Sequence, residues 1–256
     1  MNLQRREYKY IIDEPIAAVL RRRIAGICES DTNASAGGGR YVCDTLYLDT
    51  FDRRCYRATV DNAPTRYKLR VRRYSGDGPA FLEVKRRVDD TIIKTRAVLG
   101  ADWAQRIDDD DLLDTIPSKS RPALENFLSY YRASYAGPML PSVLVRYERE
   151  PYSSTVDPYV RITLDRKLEY QPKTELSFAP EQRYWMPIDD PVAIRAFPSR
   201  SAIVLELKFN DPAPSWLRSV VSSLELPRLA FCKYTRAIDS MLLRPERRES
   251  PLTVLR

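Results

Sequence analysis

The run Tyr67-Lys68-Leu69-Arg70-Val71-Arg72 alternates strictly between apolar and cationic side chains. Successive residues of a strand point to opposite faces, so Lys68, Arg70 and Arg72 share one side and Tyr67, Leu69 and Val71 the other. The same split recurs outward from it, in Leu82-Glu83-Val84-Lys85, Lys94-x-Arg96, Arg146-x-Glu148, Arg161-x-Thr163-x-Asp165 and Leu205-Glu206-Leu207-Lys208-Phe209. Arg5-x-Glu7-x-Lys9 is a seventh instance. One face of the predicted sheet is therefore ionic across nearly its whole width.

Around these runs, Ile16, Val19, Leu20, Ile24 and Ile27 predict an amphipathic helix over 14–29, followed by a flexible loop at 31–40 that holds three of the eight glycines. Strands are expected at 41–49, 65–74, 80–88, 91–98, 143–150, 159–168 and 202–209. Helical spacing fills 102–136, 215–224 and 233–243. The charged end, 244–256, reads as a mobile tail. No repeat and no linker-like composition appears, which favours one domain over 1–243, of α+β class with a mostly antiparallel sheet.

Two arrangements produce such alternation. An open antiparallel sheet with one solvated face does so, and so does a sheet closed into a barrel with the charged side inward. The ionic positions are almost all Arg, Lys or Glu, without the Ser, Thr, Asn and Gln of an ordinary solvated face. Few helices are available to cover the apolar side. Both points favour an antiparallel closed β-barrel with helices packed outside.

The 256 residues include no histidine, which excludes Ser-His-Asp and Cys-His nucleophile pairs, a phosphohistidine intermediate and His-ligated zinc or haem. Lys and Arg number 42 against 35 Asp and Glu, a formal charge of +7 that points to an anionic partner. The four cysteines, at 28, 43, 55 and 232, match no metal-binding spacing and read as core residues in a reducing compartment. Charges at 5–9 argue against a secretory signal, and no apolar run is long enough to span a membrane. The expected location is cytoplasmic.

A barrel lined with cations needs a counter-charge. Two like charges ~6 Å apart repel by roughly 3 kcal/mol at an effective dielectric of 20, and the few carboxylates on these strands cannot balance about a dozen Lys and Arg. A linear oligophosphate suits Arg forks and Lys ammoniums converging on a channel. The minority carboxylates, Glu7, Glu83 and Glu206, either pair with the lining cations or hold a divalent ion. With no imidazole or thiolate to hand, oxygen ligation selects Mg²⁺ or Mn²⁺. Glu206, on the most apolar-flanked strand, is the leading metal candidate.

The motifs Arg5-Arg6-Glu7-Tyr8-Lys9-Tyr10, Tyr47-Leu48-Asp49-Thr50, Tyr67 to Arg72, Phe81 to Lys85, Val145-Arg146-Tyr147-Glu148-Arg149, Val160 to Asp165, Leu205 to Phe209 and Cys232-Lys233-Tyr234 occur in an order that resembles the VTC domain. That domain is the polyphosphate polymerase branch of the CYTH-like triphosphate tunnel metalloenzymes. The resemblance covers about residues 4–242. It implies an eight-stranded antiparallel tunnel that binds a nucleoside triphosphate, with ATP expected, and transfers its terminal phosphoryl group onto inorganic polyphosphate with Mn²⁺ or Mg²⁺. By position it assigns Lys9, Arg70, Arg72, Lys85, Arg146, Arg161 and Lys208 to the catalytic set. Lys94 and Lys233 become further phosphate contacts and Glu206 the metal ligand; from the strand faces themselves, Lys68 and Arg96 join the phosphate contacts, and Glu83 and Glu7 the metal candidates. Arg5 stands where the wider superfamily's Glu-x-Glu-x-Lys signature begins, which favours the polymerase branch. The SPX domain and transmembrane helices of eukaryotic relatives are not present in this sequence, so delivery of product would need a membrane-protein partner.

Three other functions fit the same residues: a tripolyphosphatase, in which water is the acceptor, a polyphosphate-binding protein without turnover, and a nucleic-acid binder. Nucleic acid is not expected as a partner, because the charged faces carry almost no Phe or Trp for base stacking.

Overall fold

A computed structural model describes residues 5–31, 34, 38–74, 76, 78–89, 91–132, 137–182, 184–188 and 202–243. The proposed tail lies outside these residues, as does half of the loop at 31–40. The strands are β1 (Arg5–Ile12), β2 (Cys28–Ser30), β3 (Tyr41–Asp49), β4 (Thr65–Tyr74), β5 (Ala80–Val88), β6 (Thr91–Leu99), β7 (Leu140–Ser154), β8 (Arg161–Pro172), β9 (Met186–Pro187) and β10 (Ile203–Asn210). The helices are α1 (Glu14–Ile24), α2 (Arg54–Val60), α3 (Trp103–Arg106), α4 (Arg121–Arg132), α5 (Ser215–Ser223) and α6 (Lys233–Leu243).

The strands pair in the order β1-β10-β8-β7-β3-β4-β5-β6, with β2 added to β7 and β9 to β8. This corrects the closed barrel. Closure requires the two terminal strands to pair, but among the described residues β1 pairs with β10 and β6 with β5, and the path ends there. Much of β6 is exposed, including Ile92, Ile93 and Val98, as befits an edge strand. The alternation was misleading because period-2 patterning reports which face a residue occupies and carries no information about whether the sheet's ends meet. The antiparallel pairing and the helices against the apolar side were read correctly.

The chain divides into two compact units. The first comprises Met1–Cys43, Arg146–Leu168 and Asp189–Cys232, and the second Asp44–Val145, Glu169–Ile188 and Lys233–Arg256. In the first, α1 starts where the Asp13 carboxylate accepts the Ile16 N–H at 3.0 Å and Pro15 presets the opening turn. It buries Ala17, Leu20 and Ile24 against Ile162, Leu164, Leu205 and Leu207, joined by Leu217 and Val220 of α5. Each large aliphatic side chain so buried contributes about 2 kcal/mol. The helix stops at Ile24, short of the expected residue 29, because Gly26 at φ +80° turns the chain into β2.

In the second unit α4 packs on β4, β5 and β6, burying Leu124, Phe127 and Leu128. The sheet residues Leu69, Val71, Leu82, Val84 and Ala97 are buried, while the charged partners between them in sequence face the other way. Helix α2 was not anticipated. It is anchored by buried Asp49, whose oxygens accept the Cys55 and Tyr56 N–H groups at 2.8 and 2.9 Å, and it packs on β4 and α6.

Candidate functional site

The expected site residues gather mainly in two ionic clusters on the sheet, one in each unit. In the second unit the register of β4, β5 and β6 stacks cross-strand rows: Lys68 opposite Lys85 opposite Lys94, Arg70 opposite Glu83 opposite Arg96, and Arg72 opposite Phe81 opposite Val98. Because residues two apart share a face, all nine lie on one side. Six are cations and one is a carboxylate. Like charges directly opposite across strands are destabilising, so the first row is held by its surroundings.

Glu83 is the hub. It is fully buried, and its Oε2 accepts the Arg70 Nε–H at 2.6 Å while Oε1 accepts the Arg96 Nε–H at 2.7 Å and meets Lys94 Nζ at 2.8 Å. Burial alone would raise the Glu83 pKa, but Arg70, Arg72, Lys94 and Arg96 overcome it and hold the carboxyl well below its ordinary range. Lys94 moves the other way, pushed down to about 8 by burial and by Arg70 and Arg96, against the pull of Glu83. With both oxygens committed to three cations, Glu83 serves as an internal counter-ion and offers a metal little.

The other side chains of this face position the arginines. The Tyr74 hydroxyl accepts from Arg72 Nη1 at 3.4 Å and Arg96 Nη2 at 3.2 Å, and Arg72 Nε donates to Thr45 Oγ1 at 3.3 Å. The Arg96 guanidinium lies 4.9 Å from the Phe81 ring centre, and Phe81 meets Tyr74 edge-on at 5.2 Å.

In the first unit, Glu7 stands opposite Lys208 and Lys208 opposite Arg161, while Lys9 stands opposite Glu206 and Glu206 opposite Thr163. Lys9 Nζ is 2.9 Å from Glu7 and 3.9 Å from Glu206, and donates to the Phe231 carbonyl at 3.1 Å. Burial would lower the Lys9 pKa, but Glu206 and Glu7 outweigh it and raise it. Lys208 pairs with Glu206, which is 6% exposed, and Arg161 Nη1 donates to the Pro158 carbonyl at 3.1 Å. The buried hydroxyl of Thr163 has no hydrogen-bond partner. Two carboxylates around one ammonium, beside an orphaned hydroxyl, form an oxygen-only donor set that fits a hard divalent ion completing its shell with water and phosphate oxygens. Among the described residues no group of three or more His, Cys, Asp or Glu is gathered.

Of the remaining expected residues, Arg146 is half-buried on β7 and Lys233 is the first residue of α6. The sequence reading passed over Arg149. Its Nε and Nη2 donate to both oxygens of buried Asp165 at 2.7 and 2.8 Å, and Asp165 shares a strand face with Arg161 and Thr163. The Asp165 carboxylate outweighs burial and raises the Arg149 pKa. Counting by twos from Arg146 skips Arg149; the buried Asp165 in the motif at 161–165 was the signal that a cation had to meet it.

The antiparallel sheet and its basic rows accord with the CYTH-like triphosphate tunnel superfamily, enzymes of phosphoryl-transfer type, to which a family match assigns the chain. The family model for the VTC domain matches residues 4–242, and the chain belongs to that family. Among solved structures, a Hippeastrum protein named for adenylyl cyclase, with a dominant triphosphatase activity, is 14% identical at a TM-score of 0.51, covering 91% of this chain and 95% of its own. A protein from Bacillus halodurans named for adenylate cyclase is 10% identical at a TM-score of 0.48, over 88% of this chain and 92% of its own. One from Vibrio parahaemolyticus, named likewise, is 13% identical at 0.48, over 93% and 99%. At 14% identity the likeness to the Hippeastrum protein is one of fold alone. No curated protein sequence matches.

Proposed function

We propose that the protein is a metal-dependent polyphosphate polymerase that moves the terminal phosphoryl group of ATP onto the end of an inorganic polyphosphate chain. The observation that carries this reading is the β4–β6 face, where six in-register cations stand with one carboxylate that three of them engage. Such a field favours a ligand bearing several negative charges in a line.

The bond from the terminal phosphorus to the ADP oxygen breaks, a bond to a terminal oxygen of the polymer forms, and ADP leaves. Protein nucleophiles are unnecessary, because positioning and charge neutralisation lower the barrier. Lys68, Arg70, Arg72, Lys85, Lys94 and Arg96 hold phosphate oxygens. Lys9 and Lys208 neutralise charge on transferring and leaving groups, and Arg146, Arg161 and Lys233 are assigned to the polymer. Glu206 and Glu7, with the Thr163 hydroxyl, would hold Mn²⁺ or Mg²⁺, which when bound neutralises phosphate charge. We place the reaction in the cytoplasm, with a membrane partner taking the product; among the described residues no helix is long and apolar enough to cross a membrane.

Incubation with ATP and Mn²⁺, followed by gel electrophoresis, tests the reading. A ladder of long polyphosphate is expected, falling at least about a hundredfold in Arg70→Ala, the scale of losing a preorganised charge contact to the transferring group. Orthophosphate with no polymer would make the enzyme a hydrolase.

A further inference from the structure

The apolar side of β1 and β10 carries a cavity that belongs to neither ionic cluster. Lys9 and Glu206 occupy one face of these paired strands, and Tyr8, Tyr10, Leu207 and Phe209, at the alternate positions, occupy the other. Helix α5 covers that second face with Leu217 and Val221. The positions beside them on the helix are Arg218 and Ser222, which do not close the space against the strands. A partly open cavity of about 230 Å³ remains between helix and sheet, lined mainly by apolar side chains. Protein interiors hold few voids larger than a water molecule. An apolar cavity of about 150 Å³ stays dry and accepts a benzene ring, so this one has room for an apolar body of roughly nine carbons.

The surroundings of the cavity are cationic. Arg218 lines it, is exposed, and among the described residues makes no side-chain hydrogen bond or ion pair. Arg228 lies over one face of the Tyr8 ring, 3.9 Å from its centre. Burial raises the Tyr10 pKa and Arg228 opposes that rise, which places a second positive charge near the tyrosine wall. Apolar walls with one cation at the edge select a molecule that has an apolar body and a single anionic head, and a guanidinium fork matches a carboxylate.

We propose that this cavity is a binding site for an amphipathic carboxylate, its apolar body against Leu207, Leu217 and Val221 and its head group at Arg218. The site uses none of the residues assigned to phosphate or metal, so it stands or falls separately from the polymerase reading.

Calorimetric titration with octanoate and with 3-phenylpropionate, against acetate as the head group alone, tests this. At least one of the two is expected to bind about tenfold or more tighter than acetate, because only they bury apolar carbons; the tighter of them shows whether the body is a chain or a ring. Val221→Phe fills the cavity and should weaken that binding at least about tenfold. Arg218→Gln changes an exposed side chain, spares the core, and should weaken it about fivefold at low salt. Tripolyphosphate affinity should stay within about twofold in both variants. Binding of both carboxylates no tighter than acetate would overturn the site, as would unchanged affinity in Arg218→Gln, which decides the matter even if Val221→Phe does not fold. Parallel loss of tripolyphosphate would overturn it too, since the cavity would then act through the phosphate-binding face.

Discussion

The two ionic clusters are built on the same strand geometry yet are balanced differently. On β4–β6 the three rows carry six cations and a single carboxylate, which Arg70, Lys94 and Arg96 engage, so these rows have a net positive charge. On β1, β10 and β8, Lys9, Lys208 and Arg161 alternate with Glu7 and Glu206, and Arg149 is matched to Asp165. Near-neutral, this second region can release a carboxylate to a metal without exposing a large repulsion. Under the proposed function the difference gives the clusters opposite tasks: one would be completed by an anion, the other by a cation.

The sharpest way to break that contrast is to remove the hub of the first cluster. Glu83→Ala leaves four nearby cations without their common partner, and breaking a buried pair of this kind is expected to cost about 3–5 kcal/mol. Thermal unfolding would show a large drop in Tm. Tripolyphosphate should stabilise the variant more than the wild type, because the ligand replaces the lost counter-charge and binding raises stability by mass action. Equal stabilisation of both proteins would mean that Glu83 and the ligand do not share those cations.

A third ionic cluster, in the first unit and made of residues outside the proposed site, provides a control that answers to pH. Glu150 accepts from Arg21 Nε at 2.6 Å, from Tyr152 Oη at 2.5 Å and from Arg166, with Glu14 completing the arginines' contacts. Burial would raise its pKa, but Arg21, Arg166 and Tyr152 bring it down from 4.5 to about 2. A carboxylate whose folded pKa is depressed contributes its stability above the unfolded value and loses it as pH falls through the folded one. The shift corresponds to about 3 kcal/mol. Denaturant unfolding of wild type and Glu150→Gln should therefore differ most near neutral pH and converge as pH falls from 4.5 toward 2. A gap that stays constant across that range would remove the ionic account of this cluster.

Much of this was legible in the sequence because strands with one polar face write their register as alternation. β3, β4 and β5 run over the predicted 41–49, 65–74 and 80–88, and the ionic rows follow from the parity of Lys68, Glu83 and Lys94. Phe81 shares the parity of Glu83, so the aromatic end of the face was also present in the pattern but was overlooked. What alternation could not convey was anything nonlocal. The pairing of β1 with β6 needed for closure leaves no local trace. Nor does the cap of α2, whose carboxylate, Asp49, stands outside the usual capping position and is shared with the Tyr234 hydroxyl from α6. Lys167 at φ +50°, inside β8, likewise escapes a reading by twos.

The smallest expected effect on stability bears most directly on the contrast between clusters. Glu206→Gln keeps the shape of the side chain and a carbonyl oxygen for Lys208, while Glu7 still pairs with Lys9, so the fold should lose only about 1 kcal/mol. The donor set changes far more, because a neutral amide oxygen replaces one of two anionic ligands. Mn²⁺ binding, followed through the electron paramagnetic resonance signal of the free ion, should weaken at least about tenfold, the lower end of the range seen when the groups supporting a metal site are disturbed. Glu83→Gln should leave the same titration unmoved, since Glu83 is enclosed by Arg70, Lys94 and Arg96. Should the two variants exchange behaviours, the metal would belong with the lysine and arginine rows, and the division of labour between the clusters would have to be reversed.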